Sequence, residues 1–257
     1  MARRLGRRKR PTREKHMLRE QNKIEEGIFD NKTMMFLSKL FNKGIIERLI
    51  HIIARGKEAD VYIASPGSSK LLKGSRYVVV KFFRVETSSF LKMSDYIIGD
   101  TRFENTRLSK GSIVTIWCRK EFGNLKIAEE SGICAPTPYL SNGSILAMQF
   151  IGDKEGVPAP QLKNVRVPDP EKFLETIIDQ IRSLYRNNLV HADLSEFNIL
   201  CYRNRPYFID FGQAVVTRHP NSAVFLERDV KTVLRYFEKH YGVKRDYEST
   251  IRFVTAK

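Results

Sequence analysis

Cysteine is scarce in this chain: Cys118, Cys134 and Cys201 are the only three in 257 residues. They lie far apart, with no CxxC or Cys/His spacing, which excludes a disulfide framework and gives no zinc site. They read as buried thiols in a reducing compartment. No run of 18 apolar residues occurs, and no apolar region follows the basic N-terminus. The sequence therefore offers neither a membrane span nor a secretion signal, and a cytoplasmic protein is expected. Glycine is missing where nucleotide-binding loops need it: the loop around Gly56 has no GxGxxG pattern, and Gly56-Lys57 is followed by Glu58, so it is no Walker loop either. Acidic residues are also short, 29 against 45 Lys and Arg, for a net charge of +16.

What is present is a chain with 42% hydrophobic residues, enough for one two-lobed domain or two small ones. The positive charge is uneven. Residues 1–20 hold nine Lys and Arg against Glu14 and Glu20, a net +7. Such a run cannot bury a core and is expected to be a basic flexible arm that binds nucleic acid by phosphate neutralisation. The remaining +9 favours an acidic or nucleic-acid partner.

Beyond the arm, a helical extension is expected over 21–48. Asp30-Asn31-Lys32-Thr33 offers capping side chains, and Met34, Leu37, Leu40 and Phe41 repeat at helical spacing. No winged helix fits before residue 50. Over 49–150 the pattern predicts strands Leu49 to Ile63, interrupted around Gly56, and Tyr77 to Val85, which carries Lys81. A polar flexible loop is expected from Gly99 to Ile113, then a helix from about Val114 to Glu130 with Trp117, Glu121, Leu125 and Ala128 on one side. A buried strand is expected from Ser144 to Ile151. Over 151–257, Asp169-Pro170-Glu171 caps an amphipathic helix carrying Phe173, Ile177, Ile181 and Leu184. One last helix carries Val230, Val233, Leu234, Phe237 and Tyr241 before Gly242.

The richest segment runs Leu189-Val190-His191-Ala192-Asp193-Leu194-Ser195-Glu196-Phe197-Asn198-Ile199-Leu200, followed by Phe208-Ile209-Asp210-Phe211-Gly212-Gln213. An acid, an amide five residues on, and a second acid after another apolar run form the layout of a phosphotransferase site. One carboxylate orients the attacking hydroxyl, and the amide and second carboxylate supply hard oxygens for a divalent metal. Lys81 after an apolar strand is the candidate phosphate-binding lysine, and Glu121 its ion-pair partner. Gly56 and Lys57 lie where a phosphate-covering hairpin would turn. Gln149 and Ile151, entering the connection between lobes, are candidates for reading an adenine edge.

Gly56-Lys57-Glu58-Ala59-Asp60-Val61-Tyr62, Val157-Pro158-Ala159-Pro160 and the two segments above resemble RIO kinases of the first type, from about residue 25 onward. Leu194-Ser195-Glu196 and the lack of a winged helix point away from the second type, and the short chain suggests an archaeal member. The resemblance implies an α+β, two-lobed fold: an N-lobe antiparallel sheet plus helix, and a reduced helical C-lobe. It implies an atypical serine/threonine protein kinase that uses ATP with Mg2+ or Mn2+ and acts in late maturation of the small ribosomal subunit, where ATP hydrolysis can matter more than protein phosphorylation. The pre-small-subunit particle, rRNA and proteins, would be the partner, contacted partly by the arm. By position, Lys81 would hold the α/β-phosphates with Glu121 orienting it, Asp193 would be the catalytic acid/base, and Asn198 and Asp210 would bind metal. Two departures concern the loop, Ala54-Arg55 in place of small hydroxyl residues, and Gln149 in place of a frequent acid.

Only 45 residues follow Gly212, without Ala-Pro-Glu, and Ala192 replaces the arginine of His-Arg-Asp. An activation loop and peptide-docking helices are not expected, and control is expected to come from the 99–113 loop or a partner. Asp210 could itself accept a phosphoryl group, as carboxylates do in aspartyl-phosphate ATPases. Two other functions fit parts of the pattern: an RNA-binding assembly factor switched by nucleotide, and a small-molecule phosphotransferase.

Overall fold

The computed structural model describes residues 30–84, 89–104, 109 and 112–256. The arm over 1–20, residues 21–29 of the extension and part of the 99–113 loop lie outside the described residues.

The chain starts with α1 (Asn31–Asn42), where the Asp30 carboxylate accepts from the Thr33 N–H at 2.8 Å. Leu37 and Leu40 are its buried positions. They pack on a five-stranded antiparallel sheet of β1 (Ile46–Arg55), β2 (Ala59–Pro66), β3 (Val78–Phe83), β4 (Pro138–Asn142) and β5 (Ile145–Gln149), in the order β1-β2-β3-β5-β4. All six residues of β3 are buried, so the sheet is covered on both faces there. The two-residue period of a strand separates them. Val78, Val80 and Phe82 join the core that α1 covers, and Val79 and Lys81 face the cleft.

Between β3 and β4 come α2 (Ser89–Ile97), a 3-10 turn Thr101–Phe103 and α3 (Ile113–Glu130). The second lobe holds α4 (Pro170–Arg186), β6 (Leu189–Val190), the hairpin β7 (Ile199–Tyr202) and β8 (Arg205–Phe208), β9 (Val215–Val216) paired with β6, α5 (Ser222–Tyr241) and α6 (Tyr247–Thr255). Asp169 caps α4 with Pro170 in its first turn, and Phe173, Ile177, Ile181 and Leu184 are buried as their spacing requires. Ile113, Ile116, Trp117, Leu125 and Ala128 of α3 share one continuous core with α4, α5 and the β6–β9 pair. The helix thus sits in the same apolar body as the second lobe. Among the described residues no helix is long and apolar enough to cross a membrane.

Several expectations need correcting. The helix before Gly242 is not the last, because α6 follows; its Asp246 cap was readable, but it buries only Thr250 and Val254 and so leaves a weak stripe. α2 was missed as well. The start of the 99–113 segment is ordered: the Asp100 carboxylate is fully buried and bonds the backbone and guanidinium of Arg102. Only Cys118 is a buried thiol; Cys134 and Cys201 are half-buried.

Candidate active site

A cleft of about 620 Å³ opens between the sheet and the second lobe. Gly56, Lys57, Lys81, Glu121, Gln149, Ile151, Asn198 and Asp210, which come from six separate stretches of sequence, all line it. Asp193 does not. It sits just behind, where its Oδ2 accepts from Asn198 Nδ2 at 3.0 Å and from Gln213 Nε2 at 3.3 Å, and both partners reach the cleft.

Lys81 is the centre of the arrangement. Its Nζ donates to both oxygens of Glu121 at 2.9 Å and to Asp210 Oδ1 at 2.9 Å. Burial works against the charge of Lys81, but Asp210 and Glu121 outweigh it and hold the ammonium above its usual range. The two carboxylates differ. Glu121 is 1% exposed, and burial pushes it up to about 7 although Lys81 opposes this. Both its oxygens accept from Lys81, an arrangement of the ionised form, so the pair is charged at neutral pH. Asp210 keeps half of its side chain open to the cleft; burial raises its carboxyl, but the charge and hydrogen bond of Lys81, with His191 and the Gly212 N–H, together outweigh it and hold it below the usual carboxylate range. In Asp193 burial, then the charge of Asp210, raise the carboxyl, against Arg228 and Asn198. A carboxylate shifted in that direction is a better proton acceptor.

The apolar part of the cleft is made by Val61, Val79, Met148, Ile151, Leu200 and Ile209. The Gln149 side-chain oxygen accepts from the Thr137 N–H at 3.3 Å, and the Ile151 carbonyl accepts from the Ala159 N–H at 3.0 Å. The second contact ties Val157-Pro158-Ala159-Pro160 to the strand end and walls the slot. The turn around Gly56 is closed by Arg84, which donates to the Gly56 carbonyl at 2.7 Å and to Asp60 at 2.9 Å. A side-chain clamp shapes a loop that lacks the usual glycines.

Sequence reasoning missed the residues that hold this site. Asp229 on α5 is 2% exposed and accepts from the N–H groups of Ala192 at 2.7 Å and Leu194 at 2.9 Å, fixing the backbone on either side of Asp193. Burial pushes its carboxyl up to about 7, against those two donors. Ala192 has φ +64°, a left-handed backbone that the clasp maintains. Arg228 donates to the Ala192 carbonyl. On α3, Lys120 donates to the carbonyls of Gly212 at 3.0 Å and Ala214, and Asn124 Nδ2 donates to those of Phe211 and Ala214 at 2.8 Å. Burial draws the Lys120 ammonium down to about 7, with the Asp100 carboxylate opposing. The signal was available: Asp229 falls in line with Leu226, Val230 and Val233, and Lys120 and Asn124 with Ile113, Ile116, Trp117, Leu125 and Ala128. Charges on an apolar stripe must find buried partners.

A sheet-and-helix lobe over a helical lobe, with a lysine paired to a helix glutamate and two aspartates at the cleft, defines a protein-kinase-like phosphotransferase. Rio2 kinase from Chaetomium thermophilum shares the fold, with TM-scores of 0.64 and 0.65 in two crystal structures at 24% and 23% identity, covering 88% and 91% of this chain and 67% and 73% of those chains. The RIO domain family matches residues 60–250. The RIO-type serine/threonine-protein kinase Rio1 of Thermoplasma acidophilum is 42% identical over 73% of this chain and 98% of its own length. The Rio1 proteins of Haloferax volcanii and Methanocaldococcus jannaschii are each 38% identical, over 92% and 93% of this chain and 79% of theirs. The chain belongs to the RIO family of serine/threonine-protein kinases, and its second lobe is the reduced form of the two-lobed kinase fold.

Proposed function

We propose that this kinase binds ATP with Mg2+ or Mn2+ in the cleft and acts on small-subunit ribosomal precursors, as a protein kinase or as an ATPase. The observation that carries the nucleotide reading is the single ammonium of Lys81 held at 2.9 Å from both Glu121 and Asp210. Lys81 would take the α/β-phosphates, with Glu121 keeping it aimed. The apolar slot would take the adenine, with the backbone at Gln149 and Ile151 at its edge and Gly56 and Lys57 over the phosphates.

The Asp210 carboxylate and the Asn198 amide line the same cleft and offer hard oxygens, a donor set that fits a divalent cation. When bound there, the cation neutralises phosphate charge. Asp193 orients the attacking hydroxyl or water and accepts its proton, while Asn198 and Gln213 keep its carboxylate turned toward the cleft. The Rio2 kinase of Chaetomium thermophilum has been captured with ADP, Mg2+ and a phosphoaspartate. That supports the reading in which Asp210 attacks the γ-phosphorus, ADP departs, and water later releases phosphate from the acyl phosphate.

The ribosomal role rests on the kinship with Rio1 kinases and on the basic charge, nine Lys and Arg within residues 1–20. The same charge favours an RNA-binding assembly factor whose nucleotide site switches its conformation, and the two readings can describe one protein. The test follows γ-labelled ATP with precursor particles, comparing the wild type with Asp193→Asn. Label released as free phosphate, stimulated by particles and lost in the variant, means an ATPase; label on a serine or threonine of another protein means a protein kinase. Turnover that survives in the variant removes Asp193 from the mechanism.

A further inference from the structure

Asp210 stands at φ +63°, a left-handed backbone that non-glycine residues adopt only where their surroundings impose it. The four residues after it form a turn, and two side chains of α3 grip that turn. Asn124 Nδ2 donates to the carbonyls of Phe211 and Ala214, both at 2.8 Å, and Lys120 Nζ donates to those of Gly212 at 3.0 Å and Ala214. Three consecutive roles fall on one face of the helix, because Trp117, one turn before Lys120, packs against Gly212. A Cβ there would come within 2.9 Å of the indole Nε1, so only glycine lets the turn seat. Glu121, the next residue of α3, reaches Lys81 instead.

A buried ammonium is an expensive way to satisfy two carbonyls. Lys120 is fully buried, and among the described residues no carboxylate hydrogen-bonds to it. Its two hydrogen bonds act on the turn as a bound cation would, fixing two carbonyls. We propose that Lys120 and Asn124 are positioning residues for the metal-binding carboxylate: they lock the 211–214 turn to α3 and so keep Asp210 aimed into the cleft, on the same helix that aims Lys81 through Glu121. The inference rests on the reading that Asp210 holds the divalent cation, and the two can fail separately.

The experiment uses the full chain and measures turnover against Mg2+ concentration, adenosine affinity as a probe of the slot alone, and thermal unfolding. Lys120→Met keeps the length of the side chain and removes the donors; Asn124→Ala removes the other half of the grip, so either variant answers if its partner does not fold. The expected result is a rise of about tenfold or more in half-saturating Mg2+, the scale seen when groups that orient metal ligands are lost. Adenosine affinity should stay near wild type, because the apolar slot is lined by Val61, Val79, Met148, Ile151, Leu200 and Ile209 and not by the residues of the grip. A wild-type Mg2+ dependence in either folded variant, or an equal loss of adenosine binding, overturns the proposal. Asp210→Asn separates the premises: if it too keeps the wild-type Mg2+ dependence, the metal role of Asp210 falls first, whereas if it alone loses that dependence, only the positioning role falls.

Discussion

Asp193, just behind the cleft, and Asp210, in it, are the same amino acid, and their surroundings set them apart. Lys81 holds Asp210 ionised, while burial and the negative charge of Asp210 raise the proton affinity of Asp193. Asp193→Ala should lower turnover by about 10² to 10⁴-fold, the usual worth of a positioned proton acceptor, with nucleotide affinity near wild type. Single-turnover kinetics beside a nucleotide titration checks both halves. His191 gives a different kind of prediction. Its Nε2 faces the Ile209 carbonyl at 3.0 Å and must donate, while its Nδ1 is buried with no partner among the described residues. Burial lowers this histidine from 6.5 to about 4. The unfolded chain therefore takes up a proton below about 6.5 that the native state refuses until about 4, and stability is lost as pH falls through that window. At about 1.4 kcal/mol per pH unit the loss is on the order of 3 kcal/mol. Urea unfolding of the wild type and His191→Asn across pH 4 to 7 should show that the variant lacks this part of the slope.

At the scale of elements, the loop that carries Asp193 is held from behind by a helix. Removing the Asp229 carboxylate from α5 leaves the N–H groups of Ala192 and Leu194 buried without acceptors. Asp229→Ala should cost about 2 to 5 kcal/mol in chemical denaturation, since each orphaned donor is worth about 1 to 3. Asn restores only one acceptor and should recover only part of that stability. The β1–β2 turn is held from the outside instead: Arg84→Met should raise the KM for ATP several-fold and leave the unfolding midpoint nearly unchanged, because the clamp is half in solvent. These supports explain what could be read in advance. Strands and helices with long apolar periods, β3, α3, α4 and α5, stand out in the sequence, as do Asp193, Asn198 and Asp210, whose spacing matches the layout of a phosphotransferase site. The short helix α6 buries too few residues to show a period. Arg84, Asp229, Lys120 and Asn124 act on backbone atoms of distant segments, and a carbonyl or an N–H carries no residue type to pair with. For Asp229, Lys120 and Asn124, placement on apolar stripes was the only mark they left.

For the molecule as a whole, the core forms two bodies, and α3 belongs to the second. One lies under α1 and the sheet; the other joins α3 to α4, α5 and the β6–β9 pair. The Lys81–Glu121 pair therefore bridges the sheet to a helix seated in the second lobe, and that helix also carries the grip on the Asp210 turn. Outside this body, the proposed contact with RNA makes a separate prediction. Binding to ribosomal RNA should weaken linearly in log salt, and a chain lacking residues 1–20 should show a smaller slope, by about 0.7 per lost phosphate contact on single strands. A filter-binding series from low to physiological salt measures it; equal slopes would remove the arm from the interface. The bridge at Lys81 also sets the terms on which a ligand enters. Without nucleotide the enzyme is its own salt, one ammonium shared between the carboxylates of Asp210 and Glu121. A triphosphate arriving alone would take the ammonium and strand Asp210 beside new negative charge, whereas a triphosphate arriving with a divalent cation trades one counter-ion for another at both sites. Loading is then an ion exchange in which neither partner can be delivered cheaply first, and the affinity for ATP should fall steeply when chelator removes the divalent ion.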